Sequence, residues 1–292
     1  MHRQVIRFLL MMCVALGGAF AQTQPTFDFV EIRFPGAMIT NATGINNFGS
    51  IVGSYSIDGH TTHGYHLVNQ HFTTINFPGA SNTFAHGIDN NGDIVGFFTL
   101  PGDLKLHGFL RLRNGTFQRL DFPGAFGGTI PSGVNDALKV VGAVDNSGFT
   151  WQNGTFHQVD VKDPAGTSGT TRLNGIANTG WIAGGAVNFG AVRGFIVKES
   201  DFDWLSPQGT FTEAEGINGR GDVVGCNQNG AYIAFNPEAA DATENPEKFP
   251  TLFPVILPGK QTVCAFSINF FRAIVGSYSD AQGLHAFMAV TH

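Results

Sequence analysis

Two glutamates spaced two residues apart, Glu213 and Glu215, and the histidine His86 are the residues of this chain best suited to acid–base chemistry. Hydrolysis or elimination requires a pair of carboxyl groups, or a nucleophile beside a base. The sequence contains no Gly-x-Ser-x-Gly motif, no phosphate-binding glycine loop and no dinucleotide fingerprint. These three side chains are therefore the candidate catalytic residues. No motif specifies a reaction, and we expect no cofactor.

Histidines at positions 60, 63 and 66 form the densest group of metal-ligand types in the chain. Residues three apart on a strand point to opposite faces, so His63 and His66 would diverge if one strand contains both. No cysteine or acidic residue accompanies them at a spacing typical of zinc sites. We therefore expect no metal site; if a metal does bind, His60 and His63 are the residues to test.

The elements that must position these side chains are repeated. A phrase reading Gly-Ile-Asn, or a close variant of it, recurs six times at intervals of 41 to 51 residues; it begins at Gly44, Gly87, Gly133, Gly175, Gly216 and Ser267. A period of about 40–50 residues is typical of propeller blades and helical arrays. The repeat therefore indicates the architecture before any local motif is considered.

Each repeat is predicted to contain four antiparallel strands. Asn114-Gly115 and Asn153-Gly154 separate β-patterned runs and are strong hairpin signals. The chain begins with an outer-strand sequence at 27–34 and ends after a third-strand sequence at 285–290, so pairing the two would hide an exposed edge. We predict an all-β fold, a six-bladed β-propeller of four-stranded antiparallel blades whose ring is closed by the N-terminal strand. A β-solenoid is the alternative, and a four-strand period fits it poorly.

Two further residue types recur at fixed places in the repeat. A threonine lies four residues before the phrase in five units and is predicted to hold the loop that enters the inner strand: Thr40, Thr83, Thr129, Thr171 and Thr212. The third strand of three units begins with a histidine, a small residue and an aromatic residue, at His63, His107 and His285. We expect these histidines to hydrogen-bond a neighbouring backbone group or threonine.

The His-small-aromatic triplets, together with Gly-Ile-Asn-x-x-Gly-x-Ile-Val-Gly at 44–53, resemble the HAF-repeat family of extracellular repeat proteins. The resemblance covers nearly the whole mature chain and implies secretion and a repeat fold. It implies no activity and no functional residues. Ser147, Arg193 and Gly230 stand where units three to five would have the histidine, so the histidine is not required in every blade.

The N-terminus has the organisation of a secretory signal peptide. Arg3 and Arg7 precede an apolar run over 8–16, and Ala19-Phe20-Ala21 matches an A-x-A cleavage site. The run is shorter than the roughly 20 residues that span a bilayer. We therefore predict a cleaved leader at 1–21, a single propeller domain at 22–292, secretion to the periplasm or the exterior, and no membrane span.

The composition of the chain limits the classes of partner that it can bind. Charged residues make up 13% of the chain and the formal net charge is −6, which provides no basic surface for nucleic acid. A monomer is expected. Two cysteines remain after processing, Cys226 and Cys264. A disulfide and a pair of buried free thiols are both compatible with the sequence.

The residue immediately before each Gly-Ile-Asn phrase differs in all six repeats, whereas the scaffold positions beside it stay apolar. These residues are Thr43, His86, Ser132, Asn174, Glu215 and Phe266. If the first strand of each blade is innermost, these side chains surround the axis, and Arg172 and Glu213 lie two positions earlier. Thr43, His86, Ser132, Asn174, Glu215 and Arg172 are then the predicted ligand-binding residues. The alternative is that they only form hydrogen bonds between blades.

Three functions follow from this organisation. The first is a secreted, non-enzymatic propeller that binds a glycan or an extracellular protein through its loop-bearing face. The second is a polysaccharide hydrolase or lyase that uses Glu213, Glu215 and His86. The third is a purely structural protein of the cell surface or matrix.

Overall fold

In the computed structural model, residues 24–162, 169–188, 190–207, 209–235 and 250–291 are described, and they form six antiparallel sheets of four strands. The sheets are the blades of a β-propeller arranged around a common axis, which confirms the predicted fold. Within these ranges no helix is long and apolar enough to cross a membrane. The predicted signal peptide lies outside the described residues.

The strands are numbered in chain order, and within blades one to five they run outward from the axis. Blade one contains β2 (Ile39–Ile45), β3 (Ile51–Ser56), β4 (His63–Val68) and β5 (His71–Ile75). Blade two contains β6 (Asn82–Ile88), β7 (Ile94–Thr99), β8 (His107–Arg111) and β9 (Phe117–Leu120). Blade three contains β10 (Thr129–Val134), β11 (Val140–Val144), β12 (Ser147–Gln152) and β13 (Thr155–Val159).

Blade four contains β14 (Thr171–Ile176), β15 (Ile182–Asn188), β16 (Ala191–Lys198) and β17 (Asp201–Trp204). Blade five contains β18 (Thr212–Ile217), β19 (Val223–Asn227), β20 (Gly230–Ala234) and the short β21 (Phe253–Pro254). Blade six combines both ends of the chain, with β22 (Gln261–Ile268), β23 (Ala273–Asp280), β24 (Gly283–Thr291) and, outermost, β1 (Phe27–Ile32).

The N-terminal strand closes the ring as predicted. β1 pairs antiparallel with β24, from Phe27 opposite Thr291 to Ile32 opposite Ala286. The strand that the end of the chain lacks is thus supplied by its beginning, and the edge of β24 is covered.

The glycine of the repeated phrase is required by the approach of the inner strands to one another. A methyl group added at Gly44 would lie 2.6 Å from the carbonyl oxygen of His86, and one at Gly175 would lie 2.7 Å from that of Glu215. Real side chains essentially never come so close, so at these positions glycine is needed for neighbouring blades to approach at the axis. In blade six the position is Ser267, whose Oγ accepts a hydrogen bond from the backbone N–H of Ile45 at 3.4 Å.

The repeated threonines hold the loop that enters the inner strand, as predicted, and thereby join each blade to the preceding one. In every case a buried threonine hydroxyl accepts a hydrogen bond from a backbone N–H, which lies after the outermost strand of the preceding blade in four cases and in its third strand, at Gly194, in the fifth. The donor–acceptor pairs are Phe34–Thr40 at 3.1 Å, Phe77–Thr83 at 3.0 Å, Phe122–Thr129 at 2.8 Å, Val161–Thr171 at 2.9 Å and Gly194–Thr212 at 3.0 Å. Between the blades, apolar side chains from adjacent sheets pack into six buried clusters.

The prediction that the repeated histidines hydrogen-bond a backbone group or a threonine is wrong. Each histidine hydrogen-bonds a polar side chain rather than a backbone group or threonine, because the residue before the Phe-Pro-Gly turn and the loop before the third strand both provide polar groups. His63 Nδ1 lies 2.9 Å from Asn76 Oδ1, His107 Nε2 lies 3.0 Å from Asp103 Oδ2, and His285 Nε2 lies 3.0 Å from Asp280 Oδ1. Arg193 replaces the histidine in blade four and donates to the carbonyl oxygen of Ser206 at 2.5 Å.

Candidate functional site

A β-bulge occurs at the same point of all six inner strands. The pairing register with the second strand shifts immediately before the glycine or serine of the phrase, for example between Ala85 and Gly87 and between Ala214 and Gly216. The residue that each bulge leaves out of the register is the variable one. A bulge re-aims the side chain of the extra residue, and bulges are frequent beside functional sites.

The six bulge residues line one cavity on the propeller axis, here called the axial cavity. Its volume is about 630 Å³. Its lining includes Thr43, His86, Ser132, Asn174, Glu215 and Phe266, and also Arg172, Glu213, Asp145, Phe84 and Phe97. All the sequence-predicted binding residues therefore lie at one place. The cavity is at the end of the axis where the loops joining second to third strands lie, and the phrase glycines form a constriction below it.

One side of the cavity is acidic. Glu213 and Glu215 both project from β18 of blade five, and this pair is here called the acidic wall. Burial, together with the nearby charge of Glu213, raises the pKa of Glu215 to about 8, although Arg172 opposes the shift. Glu215 is therefore largely protonated at neutral pH. Asn174 donates from Nδ2 to Oε1 of Glu213 at 3.4 Å and to the carbonyl oxygen of Ala214 at 3.0 Å.

The opposite side is aromatic. Phe84 and Phe97 of blade two stack with their ring centroids 4.5 Å apart. The imidazole of His86 packs nearly perpendicular to the Phe97 ring, with the two ring centroids 5.1 Å apart. These three residues are here called the aromatic wall. Burial lowers the pKa of His86 to about 4, so its imidazole is neutral at pH 7. In a ring of six blades, blades two and five lie opposite each other. The three predicted acid–base residues are thus divided between two walls, with the glutamates together and His86 across the axis.

Some of the bulge residues form hydrogen bonds between blades, and others are left to contact a ligand. Thr43 donates from Oγ1 to the carbonyl oxygen of Ala85 at 2.8 Å, and Asn174 also reaches the next blade, so these two join blades. Ser132 donates to the carbonyl oxygen of Ile130 in its own strand at 3.4 Å. Among the described residues, the side chain of His86 makes no hydrogen bond to another blade, and that of Glu215 approaches only Sγ of Cys264, which belongs to a disulfide and has no proton to donate. Both side chains are therefore available to the cavity.

Cys226 and Cys264 form a disulfide in the structure, with Sγ atoms 2.18 Å and Cα atoms 4.8 Å apart. The bond joins β19 of blade five to β22 of blade six, and Cys264 Sγ lies 4.0 Å from Oε1 of Glu215. In the described part of the chain, Glu215, Cys226 and Cys264 are the three residues of metal-ligating type whose ligand atoms all lie within 4.8 Å of one another. The disulfide leaves the sulfurs without the thiolate that a metal requires. His60 and His63 are not part of such a grouping.

Sequence reasoning missed Phe84 and Phe97 of the aromatic wall and did not place Asp145 in the cavity. Phe84 stands two residues before His86, as Arg172 stands before Asn174 and Glu213 before Glu215, so this position carried a usable signal. Asp145 follows β11 and accepts hydrogen bonds from the backbone N–H groups of Phe126 and Gly127. Its position after a second strand indicates this face of the propeller, but only the ring brings the ends of the second strands to the cavity.

The fold and this cavity define the class of the protein, a six-bladed β-propeller with an axial cavity. Neither a protein-family model nor a curated protein matches the chain. Among solved structures, it is similar to a protein of unknown function from Bacteroides thetaiotaomicron, with a TM-score of 0.54 and 8% identity over 92% of this chain and 77% of that one. It is also similar to virginiamycin B lyase from Staphylococcus aureus, with a TM-score of 0.51 and 10% identity over 91% and 99%.

A third similar structure is TolB from Acinetobacter baumannii, with a TM-score of 0.51 and 12% identity over 68% of this chain and 52% of that one. Identities this low establish a shared propeller fold and carry no function from one protein to another.

Proposed function

We propose that this protein is a secreted, non-enzymatic propeller that binds a saccharide unit of an extracellular glycan in the axial cavity. One observation carries the proposal: the same bulge in every blade directs six different side chains into a single cavity. Secretion and membership of the HAF-repeat family are parts of the same proposal, based on the N-terminal sequence and the repeated triplets.

The contrast within the repeat supports a binding role. Residues that build the blades recur, such as the buried threonines that accept from the preceding blade, whereas the bulge residue differs in all six units. If the bulge residues served only the scaffold, the same residue would suit all six. A shared scaffold with varied side chains at one place is how a propeller acquires a specific site.

The chemistry of the cavity suits a saccharide. A pyranose ring presents apolar C–H faces and hydroxyl groups, and the axial cavity opposes the stacked rings of Phe84 and Phe97 to carboxyl, amide and guanidinium groups on blades four and five. A volume of about 630 Å³ is within the range of about 300–1,000 Å³ found for small-ligand sites.

A polysaccharide hydrolase or lyase is the second candidate, and the acidic wall favours it. Glu215 is largely protonated at neutral pH beside a second carboxyl group on the same strand. Pairs of carboxyl groups whose environments separate their pKa values are typical of glycosidases, in which one acts as an acid. His86 is neutral and across the axis, where it could accept a proton from a bound substrate.

The test is a thermal-shift and calorimetric screen of the secreted protein against neutral, acidic and amine-bearing oligosaccharides. A ligand at 100 times its Kd stabilises the folded state by about 2.7 kcal/mol, which shifts Tm measurably. We expect a saturable shift with one saccharide class that is lost in Phe97→Ala and kept in Asp201→Asn, a control on the outer strand of blade four.

Reducing-sugar and unsaturated-product assays on the same samples separate the candidates. Turnover that disappears in Glu215→Gln, with the fold intact, would establish the enzyme instead of the non-enzymatic binder. No shift with any saccharide would overturn the proposal and leave a protein partner or a structural role.

A further inference from the structure

We infer that the axial cavity takes a saccharide with a free amino group, bound as an ammonium ion at the acidic wall with its ring against the aromatic wall. The inference rests on the proposed function and specifies its ligand class.

The charges around the cavity favour a cation. Three carboxyl groups line it, those of Glu213, Glu215 and Asp145, whereas Arg172 is the cationic side chain among the described lining residues. Asp145 accepts from the backbone N–H groups of Phe126 and Gly127 at 3.0 and 2.7 Å, and these bonds lower its pKa. A cationic ligand would supply the counter-charge that lets Glu215 ionise beside Glu213, which a neutral or anionic ligand cannot do.

Of the three carboxyl groups, that of Glu215 has hydrogen-bonding capacity that the described protein groups do not use. Among the described residues, the polar contact of its side chain at hydrogen-bond range is with Sγ of Cys264, 4.0 Å from Oε1. That sulfur belongs to the disulfide and has no proton to donate. Glu213 by contrast accepts from Asn174 Nδ2. An ammonium group carries three N–H donors and would supply to Glu215 what the protein does not.

The aromatic wall, across the axis from the glutamates, suits the sugar ring of such a ligand. The Phe84 and Phe97 rings present a stacked apolar surface in blade two, opposite the glutamates of blade five. Aromatic faces attract cations and pack against C–H groups. An amino sugar offers both a cationic substituent and an apolar ring face. A simple ammonium ion offers only the first, and a neutral sugar only the second.

The inference predicts that binding is coupled to the release of a proton. The groups facing Glu215 are Glu213 on its own strand, Arg172 on β14, Tyr232 on β20 and the Cys226–Cys264 disulfide, with His86 across the cavity. At pH 6 both Glu215 and the ligand amine are protonated before binding. An ion pair requires the carboxylate, so Glu215 loses its proton to solvent while the ammonium keeps its own. Affinity therefore rises about tenfold per pH unit between pH 6 and 7.

The experiment is isothermal titration calorimetry at pH 6 in two buffers of different ionisation enthalpy. The probes are the glucosamine disaccharide, which has two free amines, and its N,N′-diacetylated form, which has none. The proteins are the wild type, Glu215→Gln and the control Asp201→Asn, each checked for native circular dichroism. We expect at least tenfold tighter binding of the free amine, with release of about one proton per ligand. The control should keep both effects and Glu215→Gln should lose both.

The outcomes separate this inference from the function on which it rests. If acetylated or other neutral saccharides bind as tightly or more tightly, the amine inference is wrong and saccharide binding stands. If the amine preference persists unchanged in Glu215→Gln, the assignment to Glu215 is overturned. If no saccharide binds to the folded wild type, both proposals fail.

Discussion

The side-chain amide of Asn46 donates to the backbone carbonyl oxygen of Asp89 in the next blade, at 3.0 Å. Asn135, Asn218 and Asn269 make the same bond to their following blades, at 3.4, 3.0 and 3.1 Å. These amides join the blades at the end of the axis away from the cavity. In blade two the equivalent residue is Asp89, and an ionised carboxylate cannot donate to blade three.

Asp89→Asn is expected to stabilise the protein at pH 7 and above. Burial raises the pKa of Asp89 from 3.8 to about 6, so its contribution to stability is present below about pH 4 and is lost as pH rises through 6. This rise in the pKa corresponds to roughly 3 kcal/mol at most. Urea unfolding at pH 5 and pH 8 should show a smaller loss with pH for the variant than for the wild type. An identical loss, as expected for the exposed control Asp201→Asn, would contradict the assignment.

Two buried tyrosines at equivalent third-strand positions should respond differently to loss of their hydroxyl groups. Tyr232 donates to the carbonyl oxygen of Glu213 at 3.1 Å, whereas Tyr65 Oη is buried with no hydrogen-bond partner in the described chain. We expect Tyr232→Phe to cost about 1 kcal/mol and Tyr65→Phe to be neutral or stabilising, since it removes an unsatisfied polar group. Chemical denaturation measures both. Equal costs would show that the hydroxyl environments do not differ as described.

Loss of the disulfide should destabilise the closed ring substantially. Cys226 and Cys264 are separated by 38 residues, and cross-linking a loop of this length stabilises the folded state by about 4 kcal/mol in the chain-entropy model. The double variant Cys226→Ser/Cys264→Ser should unfold at lower denaturant concentration, and a dithiol reductant should lower the stability of the wild type in the same way. The double variant is its own control, because the reductant should leave it unchanged.

The threonine that precedes the phrase in blade two offers a matched pair of substitutions. Thr83 is 1% exposed, and its Oγ1 accepts from the backbone N–H of Phe77 at 3.0 Å. Thr83→Val keeps the shape but leaves that N–H without an acceptor, at a cost of about 1–3 kcal/mol. Thr83→Ser keeps the hydroxyl and should cost less. If serine is as destabilising as valine, packing of the methyl group, rather than the hydrogen bond, is the source of the stability.

Much of the fold and part of the site could be predicted from the chain. The period of the Gly-Ile-Asn phrase, the Asn-Gly turns and the surplus N-terminal strand led to six four-stranded blades with a closed ring, because strand length, turn type and edge pairing are set locally or by simple counting. The variable residue before the phrase was also visible in the sequence. Its recurrence in an inner strand predicted a ring of side chains around the axis.

What only the tertiary structure decided is where those side chains point and what faces them. The bulge in each inner strand re-aims Glu215 and His86 into the cavity, and the ring places them on opposite walls, although neither distance nor direction can be read from their sequence separation. The disulfide of Cys226 and Cys264 and the donor missing at Glu215 likewise arise from contacts between blades five and six. The raised pKa of that carboxyl group arises from its burial in the ring beside Glu213. Long-range proximity and desolvation are properties of the packed ring, so local sequence patterns could not contain them.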